Sequence, residues 1–213
     1  MQTRNEGRRY SGVDAAERDR KRRASFLAAA LELFGTSGYA PTSVKRICQE
    51  AGLTERYFYA SFRDRHDCLA GLYAELTGEL RTATLAAIDR AAGAGPDAIA
   101  DSGLAAFVGY LTADPRRARV VLIEVVGVSP ELEERRNAVL REFAELITAV
   151  WTATAEPPAE APSRAQRLTA VGLVGAVNHL LVDWLHGGRQ EQPATLVDVC
   201  ATLFAAARRS QRG

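Results

Sequence analysis

Cysteine is scarce in this chain: three residues among 213, at positions 48, 68 and 200, with no C-x-x-C spacing. An odd, scattered set supports neither a disulfide framework nor a thiolate metal centre, and it reads as core or semi-exposed thiols in a reducing cytoplasm. No run of eighteen or more apolar residues is present, so no membrane span is expected. The charged N-terminus lacks an apolar signal core, which argues against export. There is no nucleophile elbow, no phosphate-binding loop and no H-E-x-x-H, and the expectation is a protein that is not an enzyme. No segment alternates with the period of a strand, and no internal repeat is visible.

Neither sign of charge dominates, with a net charge of +1. The distribution is more telling. Residues 1–70 carry 13 Lys/Arg against 9 Asp/Glu, a net +4, and residues 71–213 carry 14 against 17, a net −3. A positive head on a mildly negative body suits site-specific DNA binding better than general coating of nucleic acid.

The periodicity predicts an all-α protein of about nine helices. Residues 1–13 show no apolar period and read as a disordered basic arm. A first helix from about Ala15 to Thr36 buries Phe26, Leu27, Ala30, Leu31 and Phe34. Residues 14–63 form a compact head, and residues 64–213 a helical body. In the body, prolines mark helix starts, because proline is tolerated at the first helical position: Pro96, Pro115, Pro130 and Pro193. Asp64 caps the helix that follows the head. Ser163 with Gln166 makes a capping box, and Pro157, Pro158 and Pro162 form a linker before it.

Residues 38–69 read GYAPTSVKRICQEAGLTERYFYASFRDRHDCL. Two short amphipathic helices fit here, with Thr42 and Thr54 in cap positions and Gly52 at the left-handed residue between them. This is a helix-turn-helix, and its second helix has the outward set Glu55, Arg56, Tyr57 and Tyr59, shaped to enter a major groove. Arg56 and Tyr57 are the candidates for base edges, because arginine bonds guanine bidentately. Glu55 has two readings, acceptance from cytosine or stabilisation of the helix start. Ser43, Lys45, Thr54 and Arg65 complete the candidate DNA-binding set. The stretch resembles the DNA-binding domain of the TetR family of bacterial transcriptional regulators. The matching residues are Gly38-Tyr39, Thr42-Ser43, Ile47, Ala51-Gly52-Leu53-Thr54, Phe58-Tyr59-Ala60-Ser61-Phe62 and Arg65. Arg65 and Ser61 depart from the family's usual lysine and usual His or Tyr. The resemblance implies phosphate contacts from Thr42, Tyr59 and Arg65.

It also implies that the body binds a small molecule and dimerises, so that two heads meet a palindromic operator. Residues 168–185 are apolar nearly all round, and residues 194–207 carry an apolar stripe. These predict a homodimer interface through Leu173, Val177, Leu181, Leu196, Val199 and Leu203. Candidate pocket residues are Phe107, Tyr110, Leu111, Glu124, Phe143, Ile147, Trp151, Asn178 and Trp184. Few charges fall on these faces, so the expected effector is apolar or amphipathic, such as an acyl chain or a ring system. No metal or other cofactor is expected. The alternative is a metal-dependent sensor or an activator with the same helix-turn-helix; His179, Asp183 and His186, which share one helix face, are the candidate metal ligands.

Overall fold

The computed structural model describes residues 6–155 and 161–210. The described residues form nine α-helices and one π-helical turn, with no strand: α1 Glu6–Thr36, α2 Val44–Ala51, α3 Glu55–Ser61, α4 Arg65–Arg90, α5 Pro96–Ala113, α6 Pro115–Arg119, the π turn Val120–Glu124, α7 Pro130–Ala153, α8 Arg164–His186 and α9 Pro193–Ser210. Most of the expected linker, including Pro157 and Pro158, lies outside the described residues. The first helix begins at Glu6, so residues 6–13 are helix and not arm. No proline interrupts this stretch, and pairs one turn apart support the helix further on, Asp14 with Arg18 at 2.7 Å and Glu17 with Lys21 at 3.8 Å.

The chain divides into two compact units, and the boundary falls within α4, between Tyr73 and Ala74, rather than ahead of it. The reason is packing. Cys68, Leu69, Leu72 and Tyr73 are buried, and the first turns of α4 are tied to α1 and α3. A Cβ on Gly71 would stand 2.8 Å from Arg23 Nη2 and 3.3 Å from Phe62 Cε1.

In the head, α1 packs on α2 and α3, and α2 on α3. Phe26, Phe34, Ile47 and Phe58 are fully enclosed. In the body, α5 packs chiefly on α9, and α7 on α8. The prolines sit in the first turn of α5, α6 and α7, as expected. Ser163 accepts from Gln166 N at 3.1 Å while Gln166 Oε1 accepts from Ser163 N at 2.7 Å, closing the capping box of α8.

Leu173, Val177, Leu181 and Leu196 are buried inside the body and do not form its outer face. An all-round apolar helix offers two candidate faces, and this one turns those four inward. The outer face of α8 and α9 instead carries Leu168 and Val171, 63 % and 55 % exposed, with Val199 and Leu203 also exposed. By length and composition alone α8 is apolar enough to cross a membrane, although it packs on α7 and α9.

Candidate functional site

The recognition surface begins with three rings. Phe58 packs edge-on to Phe26 at 5.4 Å and tilted against Phe62 at 5.5 Å, and Phe26 meets Phe62 at 6.4 Å. This cluster fixes α3 on α1. The turn before α3 depends on Gly52, whose φ of 64° is left-handed and costs glycine little. Its N–H bonds Gln49 O at 3.2 Å, and the Leu53 N–H bonds Cys48 O at 3.0 Å, which satisfies the end of α2.

With Phe58 inward, Glu55, Arg56, Tyr57 and Tyr59 all face out, as expected. Tyr57 is 40 % and Tyr59 56 % exposed. Ser43, Lys45 and Thr54 are also at the surface. Thr54 precedes α3 without using its side chain as a cap, so its hydroxyl is not spent on the helix.

Two expected contacts lie elsewhere. Thr42 is fully buried, and its hydroxyl donates to Gly38 O at 2.7 Å. Ser43 is the cap of α2 instead, accepting from Arg46 N at 3.3 Å. Arg65 faces the head: its Nη1 donates to Tyr39 O at 3.1 Å and Ala40 O at 3.2 Å, and also to Thr42 O. Its guanidinium stacks on the Tyr39 ring at 4.1 Å. Arg65 therefore clamps the turn before α2, a task suited to a planar fork of donors.

The basic run of α1 is also partly structural. Arg23 lies over the Phe62 ring at 4.3 Å and donates to Ser61 O at 3.0 Å. Arg22 lies over the Tyr57 ring at 4.6 Å, so it holds a candidate base-reading side chain from the neighbouring helix. Periodicity does not reveal this pair, because the two residues are far apart in sequence and their contact is through a ring face.

Asp64 caps α4 by accepting from Asp67 N at 2.7 Å, and Asp67 accepts from Arg63 N at 3.1 Å. The Arg63 backbone N–H, with its guanidinium in support, holds the Asp67 carboxyl below its usual range against the opposing effect of burial. A carboxylate with a depressed folded pKa contributes stability that is present above the unfolded value of about 3.9 and lost as pH falls through the folded one. Acid denaturation followed by circular dichroism should therefore show a drop below about pH 4 that Asp67→Asn reduces.

The body encloses an apolar cavity of about 630 Å³, its open mouth included. Thr84 and Ile88 of α4, Ile99, Ala100, Gly103, Leu104 and Phe107 of α5, Phe143, Leu146, Ile147, Val150 and Trp151 of α7, Val174 and Val177 of α8, and Phe204 of α9 line it. Phe107 meets Phe143 edge-on at 5.0 Å. Four expected residues are thus present: Phe107, Phe143, Ile147 and Trp151. Five are not. Tyr110 donates to Glu79 at 2.7 Å, beneath the Arg117 guanidinium. Glu124 accepts from Arg119 at 2.8 Å, so its partner is an arginine of the body. Trp184 donates to Glu191 O at 3.0 Å. Leu111 is buried core, and Asn178 is half-buried on α8, both away from the lining. Among the described residues no three His, Cys, Asp or Glu gather closely enough to hold a metal ion. His179, Asp183 and His186 are each exposed.

Solved structures share this architecture. The fatty acid degradation regulator FadR from Bacillus halodurans is 20 % identical, with 86 % of this chain and 94 % of that one covered and a TM-score of 0.76. The transcriptional regulator FadR from Bacillus subtilis, solved in complex with stearoyl-CoA, is 19 % identical over 86 % of this chain and 98 % of that one, also with a TM-score of 0.76. A TetR-like transcriptional regulator from a Rhodococcus species is 18 % identical over 90 % and 96 %, with a TM-score of 0.71. At these identities the likeness is one of fold. Residues 26–72 match the family model described as bacterial regulatory proteins, tetR family. That match covers the ring cluster, the Gly52 turn and the outward face of α3, and over these residues the chain is similar to bacterial regulatory proteins of the tetR family.

Proposed function

We propose that this regulator is a cytoplasmic homodimeric repressor whose grip on a palindromic operator is released by an apolar or amphipathic effector. The observation that carries the reading is the pairing of two features: an α3 that presents Glu55, Arg56, Tyr57 and Tyr59 outward, and a body with an almost wholly apolar cavity. The stearoyl-CoA bound to the Bacillus subtilis protein supports an acyl chain as the apolar part. Arg56 and Tyr57 read base edges, and Ser43, Lys45, Thr54 and Tyr59 face the backbone. The helix α4 supplies Thr84 and Ile88 to the cavity lining and, at its other end, the Arg65 clamp. It is the element through which an effector would be felt. A coupling of about 1–3 kcal/mol corresponds to a 5- to 150-fold loss of DNA affinity.

A gel shift on the DNA upstream of the chain's own gene tests this, with stearoyl-CoA, a free fatty acid or a chelator added. Binding that survives chelation and is weakened by at least one of the two acyl compounds is the expected result. Binding lost to chelator alone would instead favour a metal-dependent sensor. With Thr42 and Arg65 turned inward, each head has about three to four phosphate contacts, and a dimer roughly six to eight. Log affinity should then fall with log salt at a slope of about −5 to −7. A slope near −2 in the same assay would contradict two heads on one site.

A further inference from the structure

Among the described residues, one buried side-chain nitrogen or oxygen lacks a hydrogen-bond partner: Nη1 of Arg208. Arg208 lies in the last turn of α9, with its side chain only 11 % exposed. One edge of its guanidinium is occupied. Nε donates to Asp97 Oδ1 at 2.9 Å, and Nη2 reaches the same oxygen. Asp97 stands in the first turn of α5 with its side chain largely in water. A guanidinium is planar, with donors forked at fixed angles, so holding the Nε/Nη2 edge toward the surface turns Nη1 to the inside. Phe204, one turn earlier on the same face of α9, lines the apolar cavity, as do Ile99 and Ala100 just beyond Asp97 on α5. A permanently charged group with a dry, unmatched N–H pair, one helical turn beyond a residue that lines the hydrocarbon slot, is half of a recognition site.

We propose that Arg208 takes the carboxylate of an amphipathic monocarboxylic acid whose hydrocarbon part fills the cavity. The effector is then a free acid, not an ester or thioester. This rests on the reading of the cavity as the effector site. Asp97 does not forbid a second carboxylate, because water screens it and the two edges of one guanidinium serve two acceptors.

Calorimetric titration of the full chain with dodecanoate, methyl dodecanoate and dodecanoyl-CoA tests the assignment. The acid should bind about tenfold or more tightly than the ester, the scale of one charge-assisted hydrogen bond. Arg208→Gln should bring the acid down to the affinity of the ester. Asp97→Asn, which leaves the guanidinium in place, should keep the preference for the acid. Equal binding of acid and ester by the unaltered chain, or tighter binding of the thioester than of the acid, overturns the role of Arg208 and leaves the cavity reading standing. Failure of all three compounds to bind removes both. The acid–ester comparison uses no substitution, so its outcome does not depend on how any variant folds.

Discussion

Phe58→Ala is expected to destabilise the head by about 3–5 kcal/mol, the usual cost of truncating an enclosed phenylalanine. Phe58 is fully buried, and its ring touches those of Phe26, Phe62 and Tyr59 at 5.4, 5.5 and 5.5 Å. Truncation removes the contacts that fix α3 on α1, and the recognition helix has only seven residues, too few to persist alone in water. A small domain holds roughly 5–15 kcal/mol in all, so the loss takes a large share. Urea denaturation should show a lower midpoint, and DNA binding should disappear. Phe58→Leu, which keeps most of the volume, should cost less than about half as much. An alanine variant as stable as the parent would show that something other than the ring cluster holds α3.

The second large effect is expected at the outer face of α8 and α9. Leu168, Val171, Val199 and Leu203 are exposed there, and a Cβ added at Gly172 or Gly175 would meet nothing within 4 Å. Apolar side chains beside small residues allow the close, self-complementary packing of a two-fold pair. Val171→Glu puts two like charges into such a seam. Light scattering should then report a monomer. Operator affinity should fall by about 10²–10⁴, because the second head no longer benefits from the tethering of the first. Val171→Ala is the control and should stay dimeric. A monomeric parent chain would refute the two-fold reading outright.

Much of this was legible in the sequence where a residue's backbone chemistry admits few alternatives. Proline without an N–H starts helices, and Pro96, Pro115, Pro130 and Pro193 do so. Gly52 takes the positive φ that its place after α2 required. Legibility ends where two neighbours share the same chemistry. Thr42 and Ser43 are both cap formers. Only the fold shows that Ser43 takes the extended backbone of a cap while Thr42 is drawn down to Gly38. It ends again where every face is apolar, as on α8, whose periodicity does not separate Leu173, Val177 and Leu181 inside from Leu168 and Val171 outside. The cavity was half visible. Large aromatics stood out, but Thr84, Gly103 and Val174 carry no signal until three helices bring them together. The clamp of Arg65 was hidden for a related reason: a cation beside a DNA-binding motif reads as a phosphate contact until its carbonyl partners are seen.

The missing side chain at position 71 makes two distant sites answerable to one another. With Arg23 Nη2 only 2.8 Å from where a methyl would sit, alanine at 71 and this arginine rotamer exclude each other. Gly71→Ala would push the far end of this flexible side chain aside at little steric cost, and it would loosen the hold of Arg23 on Ser61 and Phe62.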